Sequence, residues 1–196
     1  MCAVPLAVLR TSGNPWLNWP VLAFTYLFRG TPLLVQLYMI YFGVTLIEGI
    51  QETMWWAVFD RAYYPCLIAF ALNPAAYTTE IIRGAIAQTP HGEIEAAQAL
   101  GMSRVTIMRR ITLPSAFRRV IPAYSNEVIL MLHGSAIAST VTIVDLLGAA
   151  RDINAKYYAP FEAFVFVALI YLCLTFAILA SFRKLERRFM RHLRPM

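Results

Sequence analysis

The residues that could carry chemistry are few and widely scattered. The histidines are His91, His133 and His192, and their spacing suggests no ligand set. Of the cysteines, Cys2 is terminal while Cys66 and Cys173 lie in apolar runs, where thiols act as packing residues rather than as a disulfide or metal framework. No Gly-rich phosphate loop ending in Lys-Ser/Thr is present, and no nucleophile–base set stands out. Four charged or titratable side chains are notable because of where they sit. Glu127, His133 and Asp145 interrupt a long apolar run, and Glu80 stands three residues before Arg83. A carboxylate at bilayer depth costs at least ~2.5–3.5 kcal/mol, so Glu127 must face a cavity, a partner or a counter-charge.

The elements that position these groups follow from composition. Of 196 residues, 59% are hydrophobic and 14% charged, and the mean hydropathy is +0.58. A soluble domain carries nearer a quarter charged residues. The expectation is an all-α polytopic membrane bundle of one domain, 1–196, with about four spans. The clearest span is Ala163 to Phe182, twenty residues without a charge. The others are Leu33 to Ile47, about Tyr63 to Ile82 with Asn73-Pro74 inside it, and about Val120 to Ala150. Asn73-Pro74 is expected to kink or break its helix. Asn14 to Phe28 carries Trp16, Trp19 and Tyr26 and reads as interfacial. The N-terminus does not read as a signal peptide, since Ala3 to Leu9 is short and Arg10 follows it.

Charge orients the spans. Arg83, Arg104, Arg109, Arg110, Arg118 and Arg119 cluster in one connecting segment, and Arg183, Lys184, Arg187, Arg188, Arg191 and Arg194 follow the last span. Placing both segments inside leaves only Arg61, Arg151 and Lys156 of the 17 basic residues outside. Four crossings with both termini cytoplasmic satisfy this pattern. The net charge of +6 therefore marks a membrane face, and nucleic-acid binding is not expected.

The most informative stretch lies in that connecting segment, Thr89 to Pro114. Thr89 can cap a first helix with Pro90 at its first position. Glu93 and Glu95 suit the positive end of the helix dipole, and Gly101 is a natural stop. Ser103 can cap a second helix ending before Pro114. The small side chains let another protein approach the first helix closely. Three readings compete: a plain connecting loop, a docking helix for a cytoplasmic partner, and a DNA-reading helix–turn–helix, the last disfavoured between two spans.

These residues carry a resemblance. EAAQALG at Glu95 to Gly101, followed by Ile111 and Leu113-Pro114, resembles the EAA loop of ABC-importer permeases. The signature is Glu95-Ala96-Ala97, a Gly four residues on, and an Ile-x-Leu-Pro ending. AAYTTEIIRGAIAQTPHGEIEAAQALG and FRGTPLLVQL look like the polar amino-acid subfamily. LPSAFRRVIPAYSNEVILMLH and ARDINAKYYAPFEAF look most like permeases for histidine, lysine, arginine and ornithine, and for related opines. The resemblance covers nearly the whole chain.

It implies an inner-membrane permease subunit with the type I importer fold. Such a subunit pairs with an identical or homologous permease, a cytoplasmic ATPase dimer and a periplasmic solute-binding protein. The loop at 89–114 would couple it to the ATPase through Glu95, Ala96, Ala97, Gly101, Ile111, Leu113 and Pro114. This chain would bind no cofactor, ATP and Mg being used by the partner. Family members have a further full span upstream of FRGTP, of which only Cys2 to Leu9 stands here. A misplaced start codon, a truncated gene and a real variant would each account for this.

Two alternatives from other classes stay open: a non-transporting membrane scaffold, including an inactive permease fragment, and a membrane-embedded enzyme. The latter needs a converging catalytic set that is not visible. Glu80 and Arg83 are read as a structural pair positioning the loop. His133 could sense or contact substrate, but reads rather as a helix-end or interface residue, and Asp145 as close to a membrane surface. Glu127, helped by Asn126 and Ser135, either attracts a cationic amino acid in the pathway or pairs with an arginine. Glu127, Met131 and Gly134 share one helical face. Glu127→Gln is expected to weaken arginine or histidine transport with assembly intact; unchanged transport would remove Glu127 from the pathway.

Overall fold

The computed structural model describes residues 2–189, so Arg191, His192 and Arg194 lie outside the described residues. Among the described residues all regular structure is helical. In chain order the helices are α1 (Ala3–Arg10), α2 (Pro15–Gly30), α3 (Leu33–Thr45), α4 (Trp56–Phe59), α5 (Tyr63–Ala87), α6 (His91–Ala99), α7 (Arg104–Ile107), α8 (Leu113–Gly134), α9 (Leu146–Tyr157) and α10 (Pro160–Phe189). A π-helical turn spans Met108–Thr112, and 3-10 turns span Ile50–Glu52 and Ser135–Val141.

Among the described residues one helix, α10, is by itself long and apolar enough to cross a membrane. Up to three spans result if the bent pair α2–α3 and the bent pair running from Arg104 to Tyr157 each count as one. The 30 residues of α10 reach about 45 Å, and the 13 of α3 only about 20 Å. At 25 residues α5 is long enough, but Asn73, Pro74, Thr78, Thr79, Glu80 and Arg83 dilute its apolar character.

Contacts divide the chain into two compact units. The first takes the described parts of 1–26, 75–127 and 179–196. Its core joins Ala3 and Ala7 of α1, Ile82, Ala85 and Ile86 of α5, and Ala116 and Val120 of α8. Four of these seven are alanine, which lets helix backbones approach closely where water supplies no drive for association. On α2, Trp16, Trp19 and Tyr26 are exposed, and Pro15, Trp16, Trp19, Pro20 and Ala23 line an open apolar hollow of about 440 Å³.

The second unit comprises 27–74 and 128–178. Its core is Leu37 of α3, Cys66 and Ala69 of α5, and Ala138 and Val141 of the 3-10 turn. A polar knot sits beside it. Pro32 has no N–H, so the carbonyl of Phe28 four residues earlier loses its helical donor. Gln36 Nε2 donates to that carbonyl at 2.8 Å, and Asn73 Nδ2 donates to it at 3.1 Å. Gln36 Nε2 also donates to the Thr31 carbonyl and hydroxyl, and Gln36 Oε1 accepts from Asn73 Nδ2 at 3.0 Å. Both amides are buried.

Three expectations are corrected. Of the kink or break expected at Asn73-Pro74, the break does not occur: α5 runs from Tyr63 to Ala87 with Pro74 inside it and Asn73 placed as a donor. Pro114 does not end a helix; it is the second residue of α8 and directly follows the π turn. The backbone stays helical from Arg104 through the wider π turn into α8. The stretch from Val120 to Ala150 is not one run either, because α8 stops at Gly134. There Ser135, Ser139 and Thr140 hydroxyls each bond the carbonyl three residues earlier, beside a tighter 3-10 turn. Thr142 then takes a left-handed φ of 66°, costly for a β-branched residue, before the chain turns into α9.

Gln36→Leu should remove, at nearly constant volume, the amide donor to the Thr31 carbonyl and hydroxyl and one of the two donors to the Phe28 carbonyl, and leave Asn73 Nδ2 without the Gln36 oxygen. A loss of roughly 1–3 kcal/mol is expected, read as a lower thermal midpoint in detergent; an unchanged midpoint would show that the knot is not stabilising.

Candidate functional site

The loop from Thr89 to Pro114 folds as a built element. Helix α6 opens at His91 with Pro90 at the cap and no side-chain cap bond, so Thr89 does not cap it. The Thr89 hydroxyl is instead engaged by Arg119 Nη2 at 3.0 Å. The same nitrogen donates to the Ala85 carbonyl at 3.1 Å, one of the last four carbonyls of α5, and Nη1 donates to Ser115 Oγ at 3.0 Å. Arg119 thus places a cation on the negative end of α5 and ties α8 to the entry of α6. Its Nε is buried without a hydrogen-bond partner among the described residues.

The far end of α6 closes as expected. Gly101 takes φ +75°, its N–H reaches the Gln98 carbonyl at 2.9 Å, and the Met102 N–H reaches the Ala97 carbonyl at 3.1 Å. That pair of bonds is a Schellman stop, which needs the left-handed residue that glycine supplies. Ser103 caps α7, its hydroxyl accepting from the Thr106 N–H at 3.3 Å.

The seven residues to which the resemblance gives a coupling role divide by exposure. Glu95, Ala96, Gly101 and Pro114 are exposed. Ala97 is 2% exposed and anchors the helix on its own chain, while Ile111 and Leu113 are half-buried. Two apolar side chains that the motif does not contain flank the turn: Leu100 is 82% exposed and Val105 67%.

Behind the loop, Glu80 is a hub. Its Oε2 accepts from Arg83 Nε at 2.6 Å, and its Oε1 accepts from Arg10 Nε at 3.2 Å and from the Thr25 hydroxyl at 3.4 Å. Only 11% of the Glu80 side chain is exposed. The pairing with Arg83 matches the three-residue spacing. Arg10 lies 70 residues away, beyond the reach of local spacing, as do the Arg119 contacts to α5; the only trace of Arg119's role is its place beside the apolar positions Ala116 and Val120.

The pathway candidates are each placed separately. Glu127 is 8% exposed while Asn126 beside it is exposed, so the two lie on different sides of α8. Ser135 donates its hydroxyl to the Leu132 carbonyl at 2.7 Å. Gly134 is a close-packing point, since a Cβ there would come 3.2 Å from Leu33 Cδ2. His133, in the last turn of α8, meets the Thr175 hydroxyl at 3.2 Å and the edge of Tyr171. Asp145 caps α9, its Oδ1 accepting from the Gly148 N–H at 2.7 Å, while its buried Oδ2 has no partner among the described residues. Among the described residues no group of His, Cys, Asp and Glu could hold a metal ion.

Residues 2–191 match the family model described as the inner membrane component of binding-protein-dependent transport systems. The chain is 49% identical, over 194 residues, to the histidine/lysine/arginine/ornithine transport system permease protein HisM of Escherichia coli K12. The match covers 98% of this chain and 82% of that one. It is 42% identical to the octopine transport system permease protein OccM of Rhizobium meliloti, covering 94% and 75%. A solved amino acid ABC transporter with histidines superposes at TM-score 0.83 with 33% identity, covering 95% of this chain and 83% of the other. A methionine ABC transporter, MetNI, shares the fold at TM-score 0.75 with 21% identity. The alanine-rich helical packing, the capped loop and these matches lead to one assignment: the chain belongs to the inner membrane components of binding-protein-dependent transport systems, with the fold of ABC-importer permeases.

Proposed function

We propose that the chain is the membrane subunit of an ATP-driven importer for basic amino acids or their opine relatives, and that α6 is its drive point. The carrying observation is the exposed Leu100 and Val105 flanking the Gly101 turn on a helix whose two ends are pinned. Glu95 and Ala96 complete the outward face. An ATPase groove closing over Leu100 would move α6, and Arg119 would pass that motion to α5 and α8. The ATP and Mg chemistry then lies with the ATPase dimer. A second permease, identical or homologous, and a periplasmic solute-binding protein complete the complex.

Four crossings with both termini cytoplasmic fit this arrangement, with the whole chain acting as one permease domain. They place the arginine-rich loop on the ATPase side. For the pathway, support comes from the irregular backbone between Gly134 and Asp145. Within a bilayer, such backbone is tolerated only when buried in protein or lining a watery cavity. Glu127, with Asn126 and Ser135, supplies the negative and polar groups that would favour a cationic substrate.

The test is ATP-dependent uptake of labelled arginine or histidine into vesicles holding the chain and its co-purifying partners. Uptake supports the transporter reading; binding of partners without uptake favours the scaffold. Leu100→Asp should release the ATPase on purification and lower uptake roughly tenfold or more, as expected for a buried anchor, with thermal stability kept. Retained ATPase and uptake would rule out α6 as the drive point. Arg119→Met should leave the ATPase bound yet cut uptake, because the docking residues remain while the ties to Ala85 and Thr89 are lost; equal loss of ATPase binding would mean Arg119 only supports the fold of the loop.

A further inference from the structure

Below the last apolar stretch of α10 lies a groove of which the transport reading uses only Pro114, at its rim. Pro114, Phe117, Arg118 and Ile121 share one face of α8, at spacings of three, four and seven. With Phe189 of α10 they line an open, largely apolar hollow of about 250 Å³. One turn further along α8, Tyr124 meets Phe182 edge-on, ring centroids 6.2 Å apart, and marks the membrane-ward end of the contact.

Two features identify the occupant. The first is depth. The uncharged run of α10 ends at Phe182, and Phe189 stands about 10 Å further along the axis, at the level where headgroups begin. The second is charge. Arg118 stands at the groove, and Arg183, Lys184, Arg187 and Arg188 are exposed around the same end of α10. Against these cations stands one acid on that stretch, Glu186, which is half-buried. None of the five cations has an acidic partner among the described residues.

We infer that this groove seats an anionic phospholipid, part of an acyl chain lying along Phe117, Ile121 and Phe189 and the phosphate bound by Arg118. An apolar slot with a cation at its mouth matches an amphiphile with a negative head. A zwitterionic lipid offers the same tail but leaves the surrounding positive charge uncompensated. Guanidinium suits phosphate through paired, charge-assisted hydrogen bonds.

The test is native mass spectrometry of the purified, delipidated transporter complex titrated with phosphatidylglycerol or phosphatidylcholine of identical acyl chains. Wild type should hold phosphatidylglycerol in preference to phosphatidylcholine. Arg118→Gln should weaken the phosphatidylglycerol adduct roughly tenfold, the scale of a charged hydrogen bond. Ile121→Trp, which fills the slot, should weaken both lipids. Lys184→Gln, five residues before Phe189 and on the far side of α10, should change little. Equal retention of the two lipids by wild type would overturn the proposal. So would equal losses from Lys184→Gln and Arg118→Gln, which would mean diffuse surface charge. Loss of a co-purifying protein from Arg118→Gln, with lipid binding intact, would give the groove to a protein partner instead.

Discussion

A backbone carbonyl inside a membrane must find a donor, and prolines keep removing donors from this chain. Much of the structure can be understood as the response to that constraint. Pro32 deprives the Phe28 carbonyl, and two buried amides from α3 and α5 replace the missing N–H. The Arg29-Gly30-Thr31-Pro32 turn is therefore inseparable from Gln36 and Asn73: the turn creates the demand, and the amides meet it. Pro114, at the end of the arginine-rich loop, follows a π-widened stretch as the helix continues into α8.

Arginine meets the same constraint at the other unit. Of the last carbonyls of α5, those of Gly84 and Ile86 accept from the N–H groups of Gln88 and Thr89 in the following turn, and Arg119 reaches across from α8 to donate to that of Ala85. Glu80 solves the converse problem. A nearly buried carboxylate is tolerated because two guanidiniums and a hydroxyl surround it. These polar clusters lie in a unit whose hydrophobic core is largely alanine. Small side chains bring helices close but give little directional preference, so the charged contacts set how α1, α5 and α8 register.

What the sequence disclosed, and what it withheld, divides along local and distant contacts. The α10 span, the glycine stop at Gly101 and the Ser103 cap are local events, decided within a few residues, and each is legible by spacing. The Glu80–Arg83 pair is local too. Thr89 looked like a cap because its immediate neighbours suit one, yet Arg119, 30 residues on, claims its hydroxyl. Asn73-Pro74 looked like a break because the rule for proline knows nothing of what lies opposite. The break at Gly134 was hidden by an apolar composition that continues through Ile143; the hydroxyls that tighten the backbone there are unremarkable singly. The EAA signature names Glu95, Ala96, Ala97 and Gly101, while Leu100, the most exposed apolar side chain of this turn, is a position the signature leaves free.

The pinned ends of α6 bear on how quickly a partner can engage it. Ordering a nine-residue segment from a flexible loop costs roughly 1–2 kcal/mol per residue in backbone freedom alone. Here the Arg119–Thr89 contact at one end and the Gly101 stop at the other have already imposed that order. In the coupling role proposed for α6, a docking surface would meet a helix that needs no folding on contact, so association would be limited by collision and orientation and could recur in every cycle without the segment melting.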